Sequence, residues 1–428
     1  MNPLGHLKSQ GIFSQASSPS LFSDAKKHRF YCGFDPTAPS LHVGNLFVLI
    51  TMQKLQKLGH SPIAVVGGAT GMIGDPSGKS KERVLLDSEI LETNIKGIQT
   101  QISQFIDLEA GGLVLNNLDW MGRFSLVNFL RDVGKCFRVT EMLNKESVKN
   151  RIQSAEGLSF TEFSYQMLQA YDFLFLSQNH DCSLQIGGTD QWGNICSGIS
   201  LVRKQTGKEV FGLTLPLIES ANGQKFGKSE GGNIWLDPQK TPPYEFYQFW
   251  LQTPDENVIS YLHYFTDLEP QEIRELEAAI KQNPEAREAT KCLALDVTCR
   301  VHGSAHAKKA VQASQVLFGG SISGLSDHEL ATIFRDVPSF SYPAEKLDPG
   351  DFGLLDLLMD LNLIKSKGQG RKLIDQGGVY LNNERVTNSS LALSRENLAA
   401  ETTLVLRTGK KKYALAQFDS QSSREASS

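Results

Sequence analysis

A short strand, a helix and a second strand within about forty residues constrain this chain more than anything else in it. Arg29 to Phe34 reads as a strand. Val43 to Leu58 then reads as a helix carrying Leu46, Leu49, Met52, Leu55 and Leu58 at three-residue spacing, apolar over much of its circumference. Gly59 is placed to cap it, and the continuous apolar run Pro62-Ile63-Ala64-Val65-Val66 has the character of a parallel strand covered on both faces. This is a βαβ unit. Strand signals recur at Gly112–Asn116 and Ser183–Ile186, between helical stretches at Phe124–Gly134 and Phe160–Leu176. The expected fold is therefore α/β, with a doubly wound parallel sheet of Rossmann-like type.

Beyond Pro242-Pro243 the pattern turns helical, with Ile273, Leu276 and Ile280, then Leu293, Val297 and Val301, at helical spacing. Pro338 to Pro349 holds three prolines and no helical period, and reads as a linker. Two short helices follow, the first apolar at Leu354, Leu355, Leu358 and Leu361, the second running from Ser366 to Gly377-Gly378. Val379-Tyr380-Leu381 with Asn382-Asn383 then reads as a hairpin, because Asn tolerates the positive φ of tight turns. The division expected is a Rossmann-like domain over 1–220, a mobile loop and connection over 221–243, a helical domain over 244–330, a linker over 331–350, a small α+β domain over 351–415 and a disordered Ser-rich tail over 416–428.

Composition narrows function. With 40% hydrophobic and 21% charged residues the body of the chain folds as a globular protein. The net charge of −4 argues against a surface coated with nucleic acid. It hides a local excess, since Asp351 to Leu415 holds ten Lys and Arg against seven Asp and Glu. A basic module is attached to an acidic body. The six cysteines form no Cys-x-x-Cys pair, so neither zinc nor disulfide frameworks gain support. No apolar run reaches spanning length, and no membrane partner is expected. Ser9 to Ser23 is Ser-rich and free of acid, as transit peptides are, yet it is short and lacks Arg. The cytoplasm is expected, with an organelle matrix as the alternative.

Five polar clusters stand out, three of them where strands end. Tyr31 to Asn45 crosses from the first strand into the first helix, where a phosphate would meet unsatisfied N–H groups and the positive end of the dipole. His42 lies at that helix start, placed either to donate to a phosphate or simply to cap the helix. The Gly-rich run Gly67 to Ser80 satisfies neither a P-loop, which needs Gly at Ile73, nor a dinucleotide fingerprint, which needs Gly at Ala69. Its Asp75 stands just beyond a strand end, where ligands of open sheets bind. Tyr165, Gln169 and Asp172 share one helix face, as a pocket for a small polar molecule or a solvated stripe. Gly187 to Asn194 follows another strand, and Lys225-Phe226-Gly227-Lys228-Ser229 lies in a polar loop, either suited to neutralising phosphate charge or simply solvated.

Together these blocks resemble the bacterial-type tyrosyl-tRNA synthetases, class I aminoacyl-tRNA synthetases, from about Leu7 to Ala416. His42-Val43-Gly44-Asn45 is similar to the family's His-x-Gly-His signature, with Asn45 where the second His often stands, and Lys225 to Ser229 is similar to its Lys-Met-Ser-Lys-Ser loop. Asp351 to Leu415 resembles its S-four-type RNA-binding module. The resemblance implies that ATP activates L-tyrosine and that tyrosine then passes to the terminal adenosine of tRNA(Tyr). Mg²⁺ would enter with ATP, and no metal would be held by the protein.

By the same resemblance Tyr31 and Asp172 hold the substrate phenol. Asp75, Tyr165 and Gln169 hold its ammonium, and Asp35 and Gln191 flank the reacting groups. Cys32, Gly33, Asp35, Gly44, Gly188, Asp190, Leu217, Ile218 and Lys228 serve ATP, with Thr37, His42, Asn45, Lys79, Arg83, Lys225 and Lys228 at its phosphates. Lys365, Lys367, Arg371, Lys372, Lys410, Lys411 and Lys412 face tRNA. A homodimer would form through an insertion at Leu118–Phe160. The competing readings are a synthetase of the same fold for another aromatic amino acid, such as tryptophan, and a non-catalytic RNA-binding protein of synthetase descent.

Overall fold

Arg29–Phe34 forms β1 with every residue but Arg29 and Gly33 buried, and the helix Val43–Lys57 returns the chain to β2, Ser61–Val66, whose last five residues are all buried. Gly59 leaves that helix at φ +86°, a left-handed conformation that costs glycine little. The computed structural model describes residues 3–77, 87–153, 157–218, 226–229, 232–335, 337–348, 352–409 and 412–419. They fall into two compact units, Met1–His302 and Gly303–Ser428.

In the first unit β3 (Leu113–Asn116), β4 (Cys182–Gly188) and β5 (Phe211–Leu215) complete a parallel sheet of order β3-β2-β1-β4-β5. The expected doubly wound sheet is present. Its order reverses between β1 and β4, so the carboxyl ends of these two strands open the crevice in which such sheets bind ligands. Tyr31, Ile63 and Val65 of the sheet pack with Ala170, Phe173 and Leu174 of the helix Phe160–Asn179 and with Trp120.

The Ser-rich segment near the start is part of this body. Ile12, Phe13 and Leu21 are buried, and Ser14 and Ser17 donate their N–H groups to Thr214 and Gly212 of β5. The stretch thus covers the β5 edge of the sheet. Among the described residues no helix is long and apolar enough to cross a membrane.

After β5 comes a two-stranded turn of β6 (Lys228–Ser229) and β7 (Gly232–Asn233), then the helices Pro243–Leu251, Asp255–Phe265, Pro270–Gln282 and Glu288–His302. Phe246, Trp250, Tyr261 and Phe265 are buried between them.

The second unit begins earlier than expected. The helices Ser304–Leu317 and Asp327–Ile333 bury Val316, Leu330 and the following Phe334 against Val405, Tyr413 and Leu415. Residues 303–330 thus belong with the C-terminal sheet and not with the helical domain. The expected linker is also corrected: Ser339–Pro343 is a strand, β8. It pairs parallel to β12 (Lys412–Asp419), and Phe340 and Tyr342 alternate into the core. Prolines and serines masked that two-residue period. The remaining strands are β9 (Val379–Leu381), β10 (Glu384–Arg385) and β11 (Thr403–Thr408), in the order β10-β9-β11-β12-β8. Asn382 and Asn383 take φ +51° and +64°, as the hairpin requires. β12 extends to Asp419, so the expected tail does not begin at 416; residues 420–428 lie outside those described.

Candidate active site

Four of the five strands are followed at the crevice by a polar side chain: Asp35 after β1, Asp75 after β2, Asn117 after β3, and Asp190 and Gln191 after β4. Parallel strands all end on the same edge, so one fold rule brings together residues more than 150 positions apart.

At one end lies an amide and carboxylate cluster. Gln191 Nε2 donates to Asp75 Oδ2 at 2.7 Å, and the Ser77 N–H donates to Asp75 Oδ1 at 3.0 Å. Gln169 Nε2 donates to Gln191 Oε1 at 3.2 Å, while Gln169 Oε1 accepts from Asn194 Nδ2 at 3.0 Å. Tyr165 donates its hydroxyl to Asp35 Oδ2 at 2.9 Å. Burial first and Asp35 second push the Tyr165 hydroxyl well above the ordinary phenol range, so it stays protonated. The network fixes polarity. The Asp75 carboxylate, the Gln169 carbonyl and the Tyr165 oxygen all retain acceptor lone pairs, which suits a ligand ammonium.

Deeper in, Asp172 is 4% exposed. Its Oδ1 accepts from Trp120 Nε1 at 2.8 Å and its Oδ2 from Asn117 Nδ2 at 3.1 Å. Burial pushes its carboxyl up to about 7 against those two hydrogen bonds, which hold it down. The Tyr31 hydroxyl, 3.5 Å from the Gln169 carbonyl, is raised well above its usual range by burial and by the field of Asp172. A buried carboxylate that keeps free lone pairs beside a buried phenol suits a ligand hydroxyl, because a ligand lacking one leaves that buried acceptor capacity unused.

The side of the crevice toward the start of the Val43–Lys57 helix is more open. Nothing stands within 4 Å of where a Cβ on Gly33 would lie, and Thr37 is exposed. His42 caps the helix Val43–Lys57: its Nδ1 accepts from the Gly44 N–H at 3.0 Å, so the ring proton sits on Nε2. Asn45 Oδ1 accepts from the His42 N–H at 3.2 Å and completes the capping box. Gly44 has no room for a side chain because the His42 ring would lie 2.6 Å from its Cβ. A Cβ on Gly188 would stand 2.5 Å from Asp190 Oδ1 and 3.5 Å from Leu217, while Cys32 is buried, within the field of Asp190, and Ile218 is half-buried.

Phe226 anchors the polar loop, buried against Phe249, Trp250, Tyr261 and Phe265. The next residue, Gly227, takes φ +87° with Val43 and the Gly44 N–H against it. The Lys228 backbone in β6 therefore follows a segment pinned to the start of the His42 helix. Lys79, Arg83 and Lys225 lie outside the described residues, as do Lys410 and Lys411.

Two family models match, "tRNA synthetases class I (W and Y)" over residues 23–319 and "Tyrosine--tRNA ligase SYY-like C-terminal domain" over residues 329–416. The chain is 47% identical over 425 residues to the tyrosine–tRNA ligase of Geobacillus stearothermophilus, covering 98% of this chain and 100% of that one. It is 46% identical to that of Rhodopirellula baltica over 96% of this chain and 95% of that one. The chain belongs to the tyrosine–tRNA ligase family of class I aminoacyl-tRNA synthetases. A solved C-terminally truncated mitochondrial tyrosyl-tRNA synthetase of Aspergillus nidulans superposes with TM-score 0.67 at 30% identity, covering 74% of this chain and 94% of that one. A Plasmodium falciparum tryptophanyl-tRNA synthetase, at 14% identity and TM-score 0.54, shares the fold.

For a chain of this family the sequence reading omitted four side chains that the geometry ties to the named residues: Thr70, Asn117, Trp120 and Asn194. Trp120 falls inside the stretch expected to serve only dimer formation. Asn117 stood in plain view at a strand end, the one signal that could have found it. Lys145 of the same stretch is half-buried, its ammonium bonded to Ser197 Oγ and pushed down to about 8 chiefly by desolvation, with Cys196 and Asp75 pulling the other way.

Proposed function

We propose that this chain joins L-tyrosine to tRNA(Tyr) in two steps, and the observation that carries the reading is the buried Asp172 carboxylate beside Tyr31. The substrate hydroxyl donates to Asp172, whose remaining lone pairs face it once Asn117 and Trp120 have taken theirs. Its ammonium takes the three acceptors presented by Asp75, Tyr165 and Gln169. An indole or a phenyl ring offers no hydroxyl to the same pair.

In the first step a carboxylate oxygen of tyrosine attacks the α-phosphorus of ATP. The new O–P bond forms in line as the bond to the β-phosphate breaks, and pyrophosphate carries away the charge. A carboxylate at neutral pH needs no general base, so rate comes from alignment and charge stabilisation. Asp35 and Gln191 flank the reacting groups. Cys32, Gly33, Gly44, Gly188 and Asp190 line the nucleotide, with Leu217 and Ile218 against adenine. His42 Nε2–H, Thr37 and Asn45 meet the phosphates, and Lys79, Arg83, Lys225 and Lys228 neutralise the leaving pyrophosphate. Mg²⁺ arrives with ATP, held through the phosphates as part of the substrate. In the second step a hydroxyl of the terminal adenosine attacks the adenylate carbonyl, forming the ester and releasing AMP.

The second unit supplies RNA affinity through Lys365, Lys367, Arg371, Lys372 and Lys412, all exposed, with Lys410 and Lys411 beside the last. Two copies pair through the exposed apolar side chains of Leu126, Val127, Val139 and Phe160. Six free cysteines fit a reducing cytoplasm. Incubation with ATP, labelled tyrosine and tRNA should place the label on the terminal adenosine in a base-labile ester. No ester with any tRNA would overturn the second step.

A further inference from the structure

The Gly-rich stretch after β2 matched no nucleotide-binding pattern, yet it is built closely around a hydrogen-bond bridge. Thr70, 3% exposed, donates its hydroxyl to Asp35 Oδ1 at 2.8 Å and accepts from Asn117 Nδ2 at 3.0 Å. The same Asn117 nitrogen gives its other proton to Asp172 Oδ2, and Asn117 Oδ1 accepts from the Ala69 N–H at 2.8 Å. Asn117 is thereby fully engaged, and both of its protons run toward carboxylates.

The glycines make this possible. A Cβ on Gly67 would stand 2.2 Å from Asp35 Oδ1 and 2.3 Å from Thr70 Oγ1, inside the bond itself. A Cβ on Gly68 would stand 2.2 Å from Asn116 Oδ1, which accepts from the Gly68 N–H. The turn Gly67-Gly68-Ala69-Thr70 lacks side chains where the bridge passes, and holds a hydroxyl where it needs a relay.

We infer that Thr70 is a positioning residue which, through Asn117, couples the carboxylate that reads the substrate hydroxyl to the carboxylate beside the reacting end. Donors in series polarise one another in a low-dielectric interior. When a substrate hydroxyl engages Asp172, the Asn117 amide and the Thr70 hydroxyl are drawn with it, and the orientation of Asp35 depends on which amino acid is bound. Selectivity then appears in the rate of adenylate formation as well as in binding. This rests on the tyrosine-activating function proposed above.

The test is the kinetics of amino-acid-dependent pyrophosphate exchange, with tyrosine and with phenylalanine, for the wild-type chain, Thr70→Val and Thr70→Ser. Val keeps the shape and removes the relay. It should lower kcat for tyrosine and cut the tyrosine-to-phenylalanine ratio of kcat/KM by about three- to tenfold, the loss expected for the neutral Asn117–Thr70 hydrogen bond through which the coupling runs. Ser, which keeps the hydroxyl, should restore both to within about twofold. Equal losses for the two amino acids would show that Thr70 acts on Asp35 alone and would overturn the coupling, as would failure of Ser to rescue. Wild-type chain without tyrosine-dependent exchange would instead refute the underlying function.

Discussion

Asp172 shows how a single carboxylate is kept charged and useful in an interior. Its two donors, Asn117 and Trp120, offset part of the burial cost, and the balance leaves it at about 7. The unfolded value is near about 3.9, so between the two the folded chain binds more protons than the unfolded chain. The contribution of Asp172 to stability is therefore fully present below about pH 4 and is lost as pH rises through about 7. Unfolding in denaturant should find wild type gaining on Asp172→Asn as pH drops from about 8 to about 5, by an amount on the order of a few kcal/mol. A pH-independent difference would contradict the buried carboxylate. Family motifs made Tyr31, Asp75, Tyr165, Gln169 and Asp172 legible in the sequence. Trp120 was not, because a hydrogen bond spanning more than fifty positions leaves no period behind it, and Asn117 had only its place at a strand end to mark it.

The helix Ser88–Ile102 holds the segment that leads into His42. Asn94 Nδ2 donates to the Pro36 carbonyl at 3.0 Å, and Gln101 accepts from the Leu41 N–H at 2.7 Å and donates to Ser40 Oγ at 2.9 Å. Between them Gly97 lets the backbones touch, since a Cβ there would stand 2.1 Å from the Pro39 carbonyl oxygen. Asn94, Gly97 and Gln101 share one face, so Gly97→Ala must push the helix off the segment bearing Thr37. The expected cost is about 1–3 kcal/mol in denaturant unfolding, with a lowered kcat for adenylate formation. Unchanged stability and rate would show that this packing does not position the phosphate side. Elements with strong periods, such as β2 and the Val43–Lys57 helix, were readable to within a residue or two. β8 was not, because five residues of alternating Ser and aromatic side chains between prolines look like a linker until β12 is there to pair with them.

At the scale of the whole molecule, the dimer proposed above would cover apolar side chains that stand exposed among the described residues. Leu126 and Val127 are 73% and 71% exposed, far above what a monomer surface usually leaves on adjacent aliphatic side chains. Replacing both by Asp should convert a dimer to a monomer in sedimentation at micromolar concentration, while a wild type that sediments as a monomer would refute the interface. The basic module was legible from charge. Its true extent was not, because Val316 and Leu330 reveal their role only against Val405 and Leu415. The central claim is that a buried carboxylate beside a buried phenol selects tyrosine for activation. Amino-acid-dependent exchange of pyrophosphate into ATP, measured side by side with tyrosine, phenylalanine and tryptophan, tests it most directly: kcat/KM for tyrosine is predicted to exceed that for phenylalanine by orders of magnitude, with no exchange with tryptophan, whereas equal exchange with phenylalanine, or exchange with tryptophan alone, would contradict it.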